Sequence, residues 1–196
     1  MGKFNFKTTP IGAALINPFV APDDRGIFIK DYNSDVYTDN KLPFEIHEIL
    51  NVKSKKGVLR GMHFQYEHAQ AKIVRCIKGH IYDVIVDIRP DSPTYGQWEG
   101  YHLTEDNLTS LYVPKHFAHG YLVLEEDSYV QYVCDEKYSQ WTDSGILYND
   151  SDINIEWPFE LIGGEDKLII SEKDKNLPTL KEYEKDLPLM RSIYHF

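Results

Sequence analysis

Short stretches of alternating apolar and polar residues run through most of the chain, and turn-forming residues separate them. The two clearest stretches cover residues 71–77 and 80–88 and meet at Lys78 and Gly79. Alternation over about four to eight residues is typical of β-strands. Further strands are predicted over residues 27–32, 44–52, 58–64, 96–103, 110–113, 120–124 and 129–134. Many short strands between Gly, Pro and Asp turns indicate an all-β sandwich or barrel.

The strand over residues 80–88 divides its side chains between two faces. One face is apolar and predicts contact with the core through Tyr82, Val84, Val86 and Ile88. The opposite face is mixed and holds Asp83, whose carboxylate is predicted either to be solvated or to line a cavity. Helical character is expected as one turn or a loop at residues 34–40 and as a capped, charged helix around residues 180–185.

Composition narrows the possible partners and the location. The 196 residues are 42% hydrophobic and carry a formal net charge of −10, which argues against nucleic-acid binding because that depends on basic patches. No apolar run approaches the roughly 20 residues that cross a bilayer, so no membrane association is expected and a cytoplasmic location is predicted. Cys76 and Cys134 lack metal or redox spacing and predict buried free thiols in a reducing compartment.

Residues 57–75 gather three polar groups of different chemistry. Arg60 offers a guanidinium that holds anions, His63 a base that titrates near neutral pH, and Lys72 a point cation. Each residue alone also fits a turn between two strands with an exposed charge at either end. Their combination makes this stretch the candidate for chemistry.

Ordered motifs along the chain give this candidate a context. They are GVLRGMHFQ (57–65), QAKIVRCIKGHIYDVIVDIR (70–89), SPTYGQW (92–98), VPKHFAHGYLVL (113–124), YVCDEKY (132–138), NDSDINIEWP (149–158) and SEKD (171–174). Together they resemble the dTDP-4-dehydrorhamnose 3,5-epimerase family, which acts on nucleotide-linked 4-keto-6-deoxy sugars. The resemblance implies one cupin-type jelly-roll domain over residues 1–196, with N-terminal strands exchanged in a homodimer and a helical tail over about residues 171–196. It also implies a reaction that needs neither cofactor nor metal.

Four residues match the reacting groups of the family, and the resemblance implies their roles. His63 would be the general base beside the ketone, and Asp174 the carboxylate that orients it. Lys72 would be the cation near the developing enolate oxygen, and Tyr132 the acid that protonates the opposite face. Removing one such acid or base is expected to lower the rate roughly 10²–10⁴-fold. The resemblance leaves open whether C3, C5 or both centres invert.

Other matches imply supporting and binding roles. His119 and Asp83 match positions that support the lysine. Arg60 and Arg25 match residues that hold the diphosphate, and the Arg25 position of the family reaches into the neighbouring subunit's site. The implied substrate-binding residues are Arg25, Lys30, Glu48, Arg60, Gln65 and Tyr138.

Three positions depart from the family pattern. Lys30 stands where the family usually has Glu, and Glu48 and Leu50 stand where it has Gln and Asn. These family positions approach the thymine base, so the departures predict altered hydrogen bonding at the base. dTDP is the default nucleotide, and a CDP-, GDP- or UDP-linked sugar is the alternative.

Three rival functions compete with this prediction. A metal-dependent cupin needs converging histidines, often as His-x-His, whereas His63 is followed two residues later by Gln65. A non-catalytic nucleotide-sugar-binding protein would not need His63, Asp174, Lys72 and Tyr132 together. A related isomerase that moves the keto group shares the fold and the enolate chemistry, but its sequence pattern is less like this one.

Overall fold

The computed structural model describes residues 3–185. Its strands are β1 (Asn5–Thr8), β2 (Ala14–Asn17), β3 (Phe19–Asp23), β4 (Gly26–Lys30), β5 (Glu48–Ser54), β6 (Leu59–Gln65), β7 (Lys72–Lys78), β8 (His80–Asp87), β9 (Trp98–Thr104), β10 (Ser110–Val113), β11 (Phe117–Val123), β12 (Ser128–Cys134) and β13 (Asp143–Gly145). The helices are α1 (Ser34–Asp39) and α2 (Glu172–Lys175), with 3₁₀ turns at Phe159–Ile162 and Glu165–Lys167. Residues 180–185 are also helical, and the rest of the predicted tail, residues 186–196, lies outside the described part.

Two antiparallel sheets and a separate hairpin make up the fold. The larger sheet has the order β1-β2-β10-β7-β12-β5, and the smaller has the order β13-β6-β11-β8-β9. Strands β3 and β4 pair with each other as the hairpin. Sheet neighbours such as β6 and β11 are distant in the chain, which is typical of a jelly roll and not of a meander. The all-β prediction is therefore confirmed.

Buried side chains lie on both faces of each sheet. Between the sheets, one cluster joins Val74 and Leu111 of the larger sheet to Ile85 and Tyr121 of the smaller. The chain after β13 covers the outer face of the smaller sheet. The segment around α1 covers the outer face of the larger sheet, with Tyr37 fully buried. The sandwich is therefore covered on both outer sides by the N- and C-terminal thirds of the chain.

Strand β8 lies at the predicted position, but the burial of Asp83 contradicts one of the two alternatives predicted for its carboxylate. Val84 and Val86 pack beneath the C-terminal segment, as the apolar face predicts. Ile81 and Ile85 are buried as well, in the cluster between the sheets. Asp83 is 0% exposed, so the solvated alternative for its carboxylate is wrong. A strand that is covered on both faces also buries its polar residues, and alternation alone does not predict whether both faces are covered.

Smaller features also agree with the sequence. Cys76 and Cys134 are free and buried, as predicted. α1 forms where one helical turn or a loop was expected, and Asn33 caps it by accepting a hydrogen bond from the Val36 amide. None of the helices within residues 3–185 combines the length and apolarity needed to cross a bilayer. The sequence does not predict β13, whose three residues are too few for an alternation pattern.

Candidate active site

Strand β6 presents His63 to a cavity between the sheets. The Nε2 atom of His63 lies 2.9 Å from Oδ1 of Asp174, which is 111 residues further along the chain. The carboxylate side chain is 6% exposed and the imidazole side chain 32% exposed. The buried carboxylate can therefore hold the ring while the ring stays open to the cavity.

Asp174 is held by local structure as well as by His63. Ser171 caps α2, and its Oγ accepts a hydrogen bond from the Asp174 amide over 3.1 Å. Oδ2 of Asp174 accepts a hydrogen bond from the Gly61 amide over 3.2 Å. Burial would raise the pKa of Asp174, but hydrogen bonds from His63, Gly61 and Ser171 hold that pKa below its ordinary value. Asp174 is therefore an anion at neutral pH.

Two glycines let β6 and β11 approach each other closely beside His63. Gly61 has a φ of +131°, and a Cβ atom added to it would lie 2.5 Å from Cα of Gly120. A side chain at this position cannot be accommodated without moving β11. The pairing of the two strands shifts register between His119 and Tyr121, and His119 lies opposite His63.

A second imidazole–carboxylate pair is buried in the cavity wall. Nε2 of His119 lies 2.8 Å from Oδ1 of Asp83, and the two side chains are 3% and 0% exposed. The other oxygen of Asp83, Oδ2, has no hydrogen-bond partner within the described part of the chain. An unpaired carboxylate oxygen contributes negative potential to its surroundings, which include Lys72 and Tyr132.

Lys72 brings a positive charge to the same wall. It begins β7 and lies opposite Cys134 of β12. Burial lowers the pKa of Lys72, and the nearby Cys134, Asp143 and Asp83 offset part of that effect. Within residues 3–185 its ammonium has no hydrogen bond or ion pair. A half-buried ammonium without a protein partner can stabilise negative charge on a ligand.

Tyr132 contributes a phenol from β12. Its ring centroid lies 5.6 Å from that of His119, at an interplanar angle of 79°. Burial, followed by the charges of Tyr121 and Asp83, raises the pKa of Tyr132 well above its ordinary value. The phenol is therefore protonated at neutral pH and is suited to donate a proton.

One cavity of about 310 Å³ brings most of the predicted site residues together. The predicted residues that line it are Arg60, His63, Gln65, Lys72, His119, Tyr132 and Tyr138. Its other lining residues are Leu50, Val52, Phe64, Gln70, Cys134, Asp143 and Lys173. Asp174 and Asp83 do not line it and are bonded to the two histidines that do. Both sheets contribute, so the set assembles only when the sandwich closes.

Arg25 and Lys30 lie outside this cavity. Both belong to the β3–β4 hairpin, where Arg25 forms an ion pair with Asp23. The hairpin also carries Ile27 and Phe28, each 58% exposed. Within one chain, therefore, neither predicted binding residue joins the others.

Glu48 is also absent from the cavity lining. Its Oε1 accepts a hydrogen bond from the Tyr138 amide over 2.6 Å and another from the Gln70 side chain over 3.2 Å. Leu50, two residues further along β5, does line the cavity. Of the two departures from the family pattern on β5, one therefore contacts the protein itself and the other presents an apolar side chain to the cavity.

Sequence reasoning missed two charged residues of the cavity, Lys173 and Asp143. Nζ of Lys173 donates a hydrogen bond to Oδ2 of Asp143, and the Tyr138 hydroxyl donates to the same oxygen over 3.1 Å. The hydrogen bond with Asp143 raises the pKa of Lys173. Lys173 directly precedes Asp174 in the SEKD motif, which is a signal that could have found it. Asp143 lies in β13, which no sequence pattern marks.

The histidines and carboxylates of the cavity form pairs and not a cluster. Nε2 of His63 forms a hydrogen bond with Asp174, and Nε2 of His119 forms one with Asp83. Within residues 3–185, no group of three or more His, Cys, Asp or Glu side chains is arranged to hold a metal ion. The arrangement is suited to moving protons.

Sequence comparison identifies the family of this chain and several relatives. Residues 7–182 match the profile of the dTDP-4-dehydrorhamnose 3,5-epimerase family. The chain belongs to this family. A dTDP-4-dehydrorhamnose 3,5-epimerase from Methanothermobacter thermautotrophicus is 44% identical to it over 183 residues, covering 93% of this chain and 97% of the relative.

Solved structures of related epimerases share the fold of this family member. A dTDP-6-deoxy-D-glucose-3,5-epimerase from Legionella pneumophila, in complex with dTDP-4-keto-L-rhamnose, has a TM-score of 0.88 at 32% identity and covers 94% of this chain and 97% of its own. A 3'-monoepimerase from Streptomyces bikiniensis, in complex with dTDP-quinovose, has a TM-score of 0.84 at 28% identity and covers 93% and 90%. The predicted family, its cupin-type jelly roll and the isomerase class are confirmed. The roles of individual residues stay predictions.

Proposed function

We propose that this chain inverts C3 and C5 of dTDP-4-dehydro-6-deoxyglucose through an enolate and without a cofactor. Family membership and the ligand of the Legionella pneumophila relative support this substrate. The observation that carries the proposal is that a carboxylate-paired imidazole, an unpaired ammonium and a phenol line one cavity. Epimerisation beside a ketone requires a base, a stabiliser of the enolate oxygen and an acid, and these groups can supply all three.

His63 would act as the base in the first step. The Asp174 carboxylate accepts a hydrogen bond from Nε2, which leaves the lone pair on Nδ1 to take the proton from the carbon next to the C4 ketone. The electron pair of the broken C–H bond then forms the enolate. The low pKa of Asp174 supports this role, because the carboxylate stays anionic while the imidazole becomes positively charged.

Lys72 would stabilise the enolate oxygen. Its ammonium has no partner within residues 3–185, so a negative charge on the substrate need not displace a protein anion. A charge fixed before the reaction starts costs no reorganisation when the enolate forms, and such electrostatic stabilisation is usually a large part of catalysis.

Tyr132 would return a proton to the opposite face of the sugar carbon. Its raised pKa supports the role of acid, since the phenol keeps its proton until the enolate carbon takes it. His119 packs against the ring and is itself fixed by Asp83, which supports a positioning role for this second pair. Exchange of the imidazolium and the tyrosinate with solvent restores the starting state. Hydrogen from solvent therefore enters the product.

The proposed active form is a homodimer in which the β3–β4 hairpin extends into the neighbouring subunit's site. Arg25 lies outside the cavity of its own chain, and Ile27 and Phe28 are exposed, as expected of a hairpin that is covered by a partner. In this arrangement Arg25 would join Arg60 around the diphosphate. Lys30 would approach the base from the partner's hairpin.

Mixing two inactive variants tests the shared site. Arg25→Ala supplies an intact His63, and His63→Ala supplies an intact Arg25. Random pairing makes about half of the dimers hybrid, with one complete site in each, so about a quarter of wild-type activity should return. Size-exclusion chromatography with light scattering checks that both variants dimerise. Dimeric mixtures with no recovered activity would contradict the exchanged hairpin.

Incubation with dTDP-4-dehydro-6-deoxyglucose in heavy water tests the reaction itself. NMR should detect deuterium at both C3 and C5, and His63→Ala should abolish the exchange. Deuterium at C3 alone would place this chain with the monoepimerase relative in function. Calorimetric titration with dTDP, CDP, GDP and UDP tests the nucleotide, and dTDP is expected to bind best. Tight dTDP binding without any exchange would favour the non-catalytic alternative.

A further inference from the structure

The chain between β12 and β13 carries Tyr138 but forms no strand or helix over residues 135–142. Gln65 holds part of this segment through both ends of its side-chain amide. Its Nε2 donates a hydrogen bond to the Lys137 carbonyl over 3.2 Å, and its Oε1 accepts one from the Ser139 amide over 2.7 Å. The side chain of Gln65 thus replaces the strand partner that these backbone groups lack.

Glu48 and Gln70 bond to two further backbone groups of this segment. Oε1 of Glu48 accepts a hydrogen bond from the Tyr138 amide over 2.6 Å. Nε2 of Gln70 donates to the Glu136 carbonyl over 2.8 Å and to the same Glu48 oxygen over 3.2 Å. A carboxylate oxygen accepts two such bonds well, because charge-assisted hydrogen bonds are stronger than neutral ones.

The three side chains lie at the ends of strands of the sandwich or next to one. Gln65 ends β6 and is 4% exposed, Gln70 lies just before β7 and is 9% exposed, and Glu48 begins β5. They contact one backbone group on each of four consecutive residues, 136–139. We name Glu48, Gln65 and Gln70 the loop clamp.

The loop clamp determines where Tyr138 lies. The side chain of Tyr138 lines the cavity and is 54% exposed, and its hydroxyl donates a hydrogen bond to Asp143 over 3.1 Å. The residue is therefore bonded at its backbone by Glu48 and at the tip of its ring by Asp143. A large aromatic ring fixed at both ends beside a cavity provides a rigid contact surface for a ligand.

We propose that Glu48 is a positioning residue, which acts on the bound nucleotide sugar through Tyr138 and not by contact with the ligand. The identity of the ligand rests on the proposed function. The clamp itself follows from the hydrogen bonds of Glu48, Gln65 and Gln70. A carboxylate at position 48 therefore does not by itself imply a different nucleotide base.

Substitutions at Glu48 test the proposal against direct contact. In Glu48→Ala the Kd for dTDP and the KM should rise about tenfold, the size expected for one lost hydrogen bond, while kcat changes less than twofold. Glu48→Gln keeps an oxygen that can accept from the Tyr138 amide, so its Kd should stay within about threefold of wild type. Glu160→Ala is the matched control, because Glu160 is exposed and its side chain has no hydrogen bond in the described part of the chain.

A double substitution separates positioning from contact. If Glu48 acts through Tyr138, then Glu48→Ala should not weaken dTDP binding further in a Tyr138→Ala background. Additive losses would overturn the proposal, and so would an equal loss in Glu48→Gln and Glu48→Ala, since either result points to contact between the carboxylate and the ligand.

Amide hydrogen exchange tests the clamp without any ligand. In Glu48→Ala, exchange at the Tyr138 amide should become faster, while amides of β8 keep their wild-type rates. Unchanged exchange at Tyr138 would overturn the proposal even if the enzyme is active. If wild-type protein neither binds dTDP nor epimerises the sugar, the proposed function fails, and the exchange result still decides the clamp.

Discussion

Asp174→Asn removes the charge that faces His63 while keeping the shape of the side chain. The carboxylate now accepts two hydrogen bonds, from Nε2 of His63 over 2.9 Å and from the Gly61 amide over 3.2 Å. An asparagine has one oxygen and one NH₂ group, so it cannot accept from both partners. If the NH₂ group faces His63, it donates to Nε2 and moves the ring proton to Nδ1, the nitrogen that must accept the substrate proton.

The size of the effect follows from the interaction that is lost. A hydrogen bond to a charged group contributes about 1.5–3 kcal/mol, and about 1.4 kcal/mol corresponds to a tenfold change in rate. Loss of the charge that stabilises the imidazolium should therefore lower kcat roughly 10- to 100-fold. The wrong tautomer would add to this loss, up to roughly 10⁴-fold, as in hydrolases whose histidine loses its carboxylate.

The rate of deuterium incorporation at saturating substrate measures this effect. Thermal unfolding of the variant should be recorded beside it, because Asp174 also bonds to the Gly61 amide. Substrate KM should change little, since the carboxylate does not line the cavity. A folded Asp174→Asn protein with kcat within about threefold of wild type would refute the role of Asp174 as the group that orients the base.

Three further predictions concern charge and packing. Lys72→Met should lower kcat about 10²-fold or more and should have a smaller effect on dTDP affinity. Exchange kinetics measure the first effect and calorimetry the second. An unchanged kcat would exclude Lys72 from enolate stabilisation. Although burial opposes it, hydrogen bonding by Arg89 and its neighbours lowers the pKa of Asp87 from 3.8 to about 2. This group therefore contributes ~2 kcal/mol of stability above about pH 4 that is lost as the pH falls towards 2, so denaturant unfolding of Asp87→Asn should give a flatter acid limb than wild type. Gly61→Ala should destabilise the fold by about 2 kcal/mol or more, because its Cβ would lie 2.5 Å from Cα of Gly120; a melting temperature equal to that of wild type would contradict the close approach of β6 and β11.

Alternation along the strands was enough to predict most of the sandwich. It located β8 and β10 nearly to the residue, because each is bounded by turn residues that end the pattern. It could not decide the surroundings of Asp83, since a period of two indicates which side chains share a face but not what covers that face. The larger sheet makes that decision, because it covers the face of β8 that Asp83 shares with Ile81 and Ile85.

The candidate site was predictable only through the resemblance to a family. His63 and Asp174 are so far apart in sequence that no spacing rule links them, and their pairing depends on β6 and α2 meeting in three dimensions. Arg25 illustrates a different limit, because a single chain leaves it beside Asp23, and it would take the predicted role only in the proposed dimer. Glu48 matched a ligand-binding position, yet its carboxylate is bonded to the backbone of Tyr138.

The distance in sequence between His63 and Asp174 also sets an order in time. Ribosomes add about 5–20 residues per second, so the 111 residues between the two take about 6–22 s to make after the histidine exists. During that interval both sheets can begin to close, but the imidazole has no carboxylate to orient it. A chain that ends before α2 would therefore lack the carboxylate that orients His63, so turnover is expected to require synthesis through Asp174.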